Sequence, residues 1–136
     1  MLRIGKEFAN EMIAHALEDD PNECCGILSG ADGNVAKLYR ITNSSASPVR
    51  YLMDPQEHFE ADRNSERNGM EVLAFYHSHT HSPAYPSQTD VRMALESGYL
   101  KENYVLVSLE HREAPQIRAF HIMESGEIVE DHLEVG

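Results

Sequence analysis

Apolar residues recur about every four positions near the start of this chain and every second position near its end, which divides the sequence into helices and strands. Ile4, Phe8, Met12 and Ala16, with Ile13 and Leu17 beside them, predict an amphipathic helix over 5–19 that Pro21 ends. CCGILSG (24–30) and VAKLYRI (35–41) predict two strands joined through the turn ADGN at 31–34. Asp54-Pro55 marks the start of a second helix. Asp54 is the cap, Pro55 suits the first helical position, Glu57 completes a capping-box pattern, and Asn68-Gly69 is the stop. EVLAFYHSH (71–79) carries an apolar run from Val72 to Tyr76, as a strand buried on both faces would. SQTDVRMALESG (87–98) predicts a third helix, capped by Ser87 and closed by Gly98. NYVLVSL (103–109), QIRAFHIM (116–123) and, after a Ser125-Gly126 turn, EIVEDHL (127–133) alternate as strands. Strands interleaved with helices indicate the α/β class, an α+β sandwich with a mixed β-sheet flanked by three helices.

Composition narrows the class. The 136 residues suit one domain, 1–136, and contain no repeat, low-complexity tract or linker. Eleven Lys and Arg against 23 Asp and Glu give a formal charge of -12, which repels phosphate backbones. Nucleic acid and anionic membrane are therefore not expected partners. The charged helix near 55–68 reads as a solvated face. No run approaches the roughly 20 apolar residues that span a bilayer, and MLRIGKEFANEM lacks a signal-peptide core. Cys24 and Cys25 are adjacent, which excludes a disulfide framework and a Cys-x-x-Cys site. A cytoplasmic setting is the expectation.

The chemistry concentrates in HSHTHSPAYPSQTD (77–90). His77 and His79 are two residues apart on a strand, so both imidazoles leave one face and can converge on one ion. A seven-residue loop leads to Ser87, and with Ser87 as cap Asp90 lies in the first helical turn, able to return against the histidines. Two imidazoles and a carboxylate suit Zn²⁺ and leave a fourth position for water. Neither half of this pattern is specific by itself. His81 extends the alternation, but Ser82-Pro83 follow it, so it is expected in the loop and outside the metal set. A cupin would place a glutamate where Pro83 and Ala84 stand, and a barrel amidohydrolase needs roughly 250 residues.

Together with the upstream segment PNECCGILSG (21–30), His77-Ser78-His79, Ser87 and Asp90 at this spacing resemble the JAMM (MPN-plus) metalloprotease motif. The resemblance implies a JAMM/MPN, cytidine-deaminase-like architecture, with Zn²⁺ held by His77, His79 and Asp90. It implies that Glu23 is the general base that passes a proton to the leaving amine, and that Ser87 stabilises the oxyanion. Without the family pattern, Glu23 reads as one exposed acid among many. Cys25 alternates with Glu23 onto one strand face and reads as a small buried hydrophobe.

The family comprises isopeptidases acting on ubiquitin-like conjugates, bacterial hydrolases acting on sulfur-carrier proteins, and silent scaffolds that lack metal ligands. Thr80, where deubiquitinases of the family tend to have Pro, and the string YHSHT…AYPSQTD resemble the bacterial enzymes that release cysteine from a carrier's C-terminal glycine. The expected function is zinc-dependent amide hydrolysis after the C-terminal Gly-Gly of a ubiquitin-like or sulfur-carrier protein, releasing cysteine. The alternatives are an isopeptidase that removes a ubiquitin-like protein from lysine, and a zinc-bound adaptor without turnover. No pattern fixes the oligomeric state.

Overall fold

A computed structural model describes all residues, Met1–Gly136. The elements in chain order are β1 (Leu2–Ile4), α1 (Lys6–Asp19), β2 (Cys25–Ala31), β3 (Asn34–Ile41), α2 (Pro55–Arg67), β4 (Glu71–His79) and α3 (Gln88–Ser97), followed by β5 (Asn103–Ser108), β6 (Gln116–Ile122), β7 (Ile128–Asp131) and β8 (Leu133–Val135). The eight strands form one mixed sheet in the order β7-β6-β5-β4-β2-β3-β1-β8. β4 runs parallel to β5, and β1 runs parallel to both β3 and β8; the remaining neighbours are antiparallel. The expected fold class, with three helices around a mixed sheet, is the one observed. No helix is long and apolar enough to cross a membrane.

The segment read as one strand over 127–133 is in fact divided. Ile128–Asp131 pairs with β6 at one end of the sheet, and Leu133–Val135 pairs with β1 at the other. Only His132 separates the two edges along the chain, so the sheet curls until they adjoin. The Leu2 amide donates to the His132 carbonyl at 3.1 Å, and the N-terminal ammonium lies 3.4 Å from Asp131. Local alternation cannot reveal a change of partner, because period 2 persists whichever neighbour supplies the hydrogen bonds. The three-residue strand β1 is too short to show a period, and it takes Ile4, which the four-residue recurrence places on the stripe of the first helix.

Helix α1 covers one face of the sheet. Met12 and Ala16 pack with Leu2, Ile4, Leu28, Tyr76, Val105 and Val107 in a continuous apolar cluster. Leu17, expected on the buried stripe, is 47% exposed. His15 takes the inward position in that turn because the buried Tyr76 hydroxyl requires a partner, and His15 Nδ1 lies 2.8 Å from it. Tyr76 lies flat over the neighbouring strand because position 26 is glycine: a Cβ there would sit 2.1 Å from the Tyr76 ring.

Helices α2 and α3 cover the opposite face. Ala61 and Ala94 meet Cys25, Ile27, Phe75, Tyr104 and Ile122 in a second cluster. Asp54 caps α2 by accepting from the Glu57 amide at 2.9 Å. Glu57 does not close the expected capping box; its carboxylate accepts from the Thr42 amide and hydroxyl, each at 2.8 Å, where two donors at the end of β3 outcompete one. Along β4, period 2 sends Tyr76 towards α1 and sends Phe75, His77 and His79 towards α2 and α3.

Candidate metal centre

The end of β4 and the start of α3 meet because the chain between them is anchored. Ala84 is fully buried with Leu106 and Phe120, and the Ser108 hydroxyl donates to the Ser82 carbonyl at 2.6 Å. The loop therefore returns to Ser87 beside the strand it left. Ser87 and Asp90 form a reciprocal capping box: the Asp90 amide donates to Ser87 Oγ at 3.0 Å, and the Ser87 amide donates to Asp90 Oδ2 at 2.9 Å. This holds the Asp90 side chain rigidly. The Ser87 hydroxyl accepts from the Asp90 amide in that box, so its own hydrogen is left free to donate elsewhere.

Three donor atoms, one each from His77, His79 and Asp90, lie within 4.8 Å of one another, and all three residues are buried. Asp90 Oδ2 is 3.1 Å from His77 Nε2 and 3.0 Å from His79 Nε2. Nδ1 of His79 donates to the Pro83 carbonyl at 2.9 Å, which fixes the ring angle and turns Nε2 towards Asp90 Oδ2. Burial works against ionisation of Asp90, but the charge of the His77 imidazole beside it and hydrogen bonds from His79 and the Ser87 amide hold it well below the usual carboxylate range. Burial also works to lower His79, but the hydrogen bonds to Asp90 and Pro83 raise it above its ordinary value.

Glu23 precedes β2, in which Cys25 stands opposite His77. Extending that antiparallel register by two residues puts Glu23 on the face of His77 and His79. It is 3% exposed rather than solvated, and its Oε1 has no hydrogen-bond partner. Burial pushes its carboxyl up to about 7, partly offset by His77 and His79 and reinforced by Asp90. Cys25 is fully buried behind His77, its Sγ 3.5 Å from the Ile41 carbonyl. Burial pushes that thiol upward, as expected of a packing residue. His81 is exposed and bonded only to its neighbour Thr80, outside the cluster.

Two contributors escaped the sequence reading. Tyr51 stacks on His77 with ring centroids 4.4 Å apart and planes inclined by 26°. Asn43 ties the loop that carries Tyr51 to Glu23, its Nδ2 donating to the Glu23 carbonyl at 2.9 Å. Asn43 had a legible signal: an Asn before the turn-forming run SSASP, whose Oδ1 accepts from the Ser45 amide two residues on. Tyr51 is a lone aromatic with no periodicity to mark it.

The donor set suits a metal. Two imidazoles and a carboxylate converge in a buried position, and both His77 ring nitrogens lack a hydrogen-bond partner of acceptable geometry. Nitrogen and carboxylate donors in a threefold set match a zinc ion with one position open.

Residues 5–123 match the family described as prokaryotic homologs of the JAB domain. The chain is 36% identical to the CysO-cysteine peptidase of Mycobacterium bovis over 137 aligned positions, covering 99% of this chain and 91% of the relative. It is 35% identical over 95 positions to a probable TtuB-protein conjugate cleaving protease of Thermus thermophilus, covering 69% of this chain and 64% of the relative. Among solved structures, a Desulfitobacterium hafniense protein superimposes with a TM-score of 0.88 at 32% identity, covering all of this chain and 93% of the other. With the histidine pair, the capping-box aspartate and the buried glutamate in register, the chain belongs to the JAB-domain family, the JAMM metallopeptidases, among its prokaryotic homologues.

Proposed function

We propose that this protein is a zinc-dependent hydrolase that cleaves the amide following the C-terminal Gly-Gly of a ubiquitin-like or sulfur-carrier protein, releasing cysteine. The observation that carries the reading is the convergence of His77, His79 and Asp90 beside a buried, unpartnered glutamate. Similarity over 99% of the chain to a peptidase named for CysO-cysteine supports cysteine as the leaving group.

In this reading His77, His79 and Asp90 would hold Zn²⁺, which when bound supplies Lewis-acid polarisation of the scissile carbonyl and acidifies water. The rigid capping box and the Pro83 contact keep the donors aimed at one point. Glu23 takes a proton from the attacking water and returns it to the departing amine, which a carboxyl poised near neutrality does well. Ser87, its hydroxyl hydrogen free of the capping interaction, donates to the oxygen on which charge develops. A Gly-Gly tail has no side chains to obstruct its approach to so enclosed a set of groups.

A second reading is an isopeptidase that separates a ubiquitin-like protein from lysine. The observation favouring it is the similarity to a protease named for cleaving TtuB-protein conjugates. The test is to incubate the zinc-loaded protein with a Gly-Gly-ending carrier bearing either a cysteine adduct or a lysine isopeptide and to weigh the products. Cleavage of the cysteine adduct supports the first reading, and cleavage of the lysine conjugate alone would replace it with the second. Cleavage of neither would favour a zinc-bound adaptor without turnover.

A further inference from the structure

A metal-binding imidazole is usually oriented through its second nitrogen, which donates to a carbonyl or carboxylate and so fixes tautomer and ring angle. His79 follows that rule through the Pro83 carbonyl. His77 does not. Its Nδ1 is buried and makes no hydrogen bond, and the side chain is 1% exposed. What touches the ring instead is the face of Tyr51, near-parallel and 4.4 Å away between centroids.

Tyr51 is itself held firmly. It lies on the loop between β3 and α2, whose two ends are joined by the Asn43–Met53 bridge and by the Ser44 amide donating to the Leu52 carbonyl at 2.7 Å. The Asn43 side chain grips both sequence neighbours of Tyr51: its Nδ2 donates to the Arg50 carbonyl at 3.1 Å, and its Oδ1 accepts from the Leu52 amide at 2.9 Å. The same Nδ2 donates to the Glu23 carbonyl, and the Glu23 amide donates to the Ser47 carbonyl at 2.9 Å. One short loop thus braces the backbone of Glu23 and the ring of His77 together.

We propose that Tyr51 is the positioning residue of His77, its ring face setting the imidazole angle that a hydrogen bond sets for His79. This rests on the reading of His77 as a metal ligand. The ring supplies the effect and the hydroxyl does not, so phenylalanine should replace tyrosine and leucine should not.

The test measures zinc affinity of the purified full chain by competition with a chromogenic chelator, for wild type, Tyr51→Phe and Tyr51→Leu. Loss of a partner that orients a metal-binding imidazole lowers affinity about 10- to 100-fold, and that loss is expected for Tyr51→Leu alone, with Tyr51→Phe within about twofold of wild type. Melting curves of the metal-free proteins separate this from general destabilisation. Should Tyr51→Leu not fold, the His77 ring-proton resonances of metal-free wild type and Tyr51→Phe decide. Both should show the upfield ring-current shift of a stacked aromatic face, and its absence overturns the proposal. Equal zinc affinity in wild type and Tyr51→Leu, or an equal loss in Tyr51→Phe, overturns the stack alone. A wild-type chain that binds no zinc overturns the metal reading with it.

Discussion

Replacing Glu23 with glutamine should shift the stability of the metal-free protein in the variant's favour as pH rises. The wild-type carboxyl has an ordinary value of 4.5 and is pushed up to about 7, chiefly by burial. A raised carboxyl means that the folded state holds its proton over a range in which the unfolded chain has released it. The stability of the neutral form is therefore fully present below 4.5 and is lost as pH rises through 7. The gap corresponds to at most ~3 kcal/mol at ~1.4 kcal/mol per pH unit, and about 2 kcal/mol of it falls between pH 5 and 8. Glutamine keeps the shape and never ionises. Any cost of burying its amide is the same at both pH values and cancels from the comparison.

The assay is thermal unfolding of chelator-treated wild type and Glu23→Gln at pH 5 and pH 8. For a domain of this size ~1 kcal/mol moves the midpoint by roughly 3–5 °C, so the advantage of the variant should grow by about 6–10 °C from pH 5 to pH 8. Restoring zinc should narrow it, because a nearby dication favours the carboxylate. A difference between variant and wild type that is independent of pH, or that moves in favour of wild type from pH 5 to pH 8, would refute the reasoning. The variant should also lose hydrolysis while retaining zinc, the signature of a base that is not a ligand.

Other perturbations separate the remaining parts of the site. Asp90→Ala should abolish zinc retention on gel filtration and also cost about 1 kcal/mol of thermal stability, because it removes half of the α3 capping box. Ser87→Ala should lose a similar amount of stability but keep most of its zinc, and its kcat should fall by more than its KM rises; unchanged turnover would reduce Ser87 to a cap. His81→Ala should leave metal content unaltered, as assayed by metal analysis of the purified protein, because the exposed ring bonds to Thr80 and is not one of the converging donors. Gly26→Ala should lower the denaturation midpoint by the equivalent of about 3 kcal/mol, since its methyl would enter the Tyr76 ring.

What could be read from the sequence, and what could not, follows the range of the interactions concerned. The three helices carried local marks: Asp54-Pro55 and Ser87 at their starts, Gly98 at an end, and a four-residue recurrence through α1. The local marks overreached wherever a distant group competed. Glu57 has the position of a capping-box acid, yet it turned to Thr42, fifteen residues away in sequence. Leu17 has the position of a stripe residue, yet His15 faces inward to meet Tyr76, sixty-one residues away. The division of 127–133 between opposite edges of the sheet depends on the N-terminal strand beside which β8 lies, and nothing within the segment encodes that choice.

The candidate site divides in the same way. His77, His79, Ser87 and Asp90 were legible because one strand, one short loop and one helix cap bring them together, and each of those has its own period or signature. Glu23 was legible only through the resemblance. As a single residue it looked like a solvated acid, and its burial comes from the β2–β4 register and from the Asn43 loop that binds its backbone on both sides. Tyr51 had neither a motif nor a period. It contributes a flat face at the correct angle, a property of tertiary placement that no spacing rule expresses. The least legible residues are thus those that aim the others. A chain with intact His77, His79 and Asp90 but an altered 43–53 loop would keep the recognisable motif while losing the bracing of Glu23 and His77 together, so the motif alone is a weaker predictor of turnover than the motif with Asn43 and Tyr51.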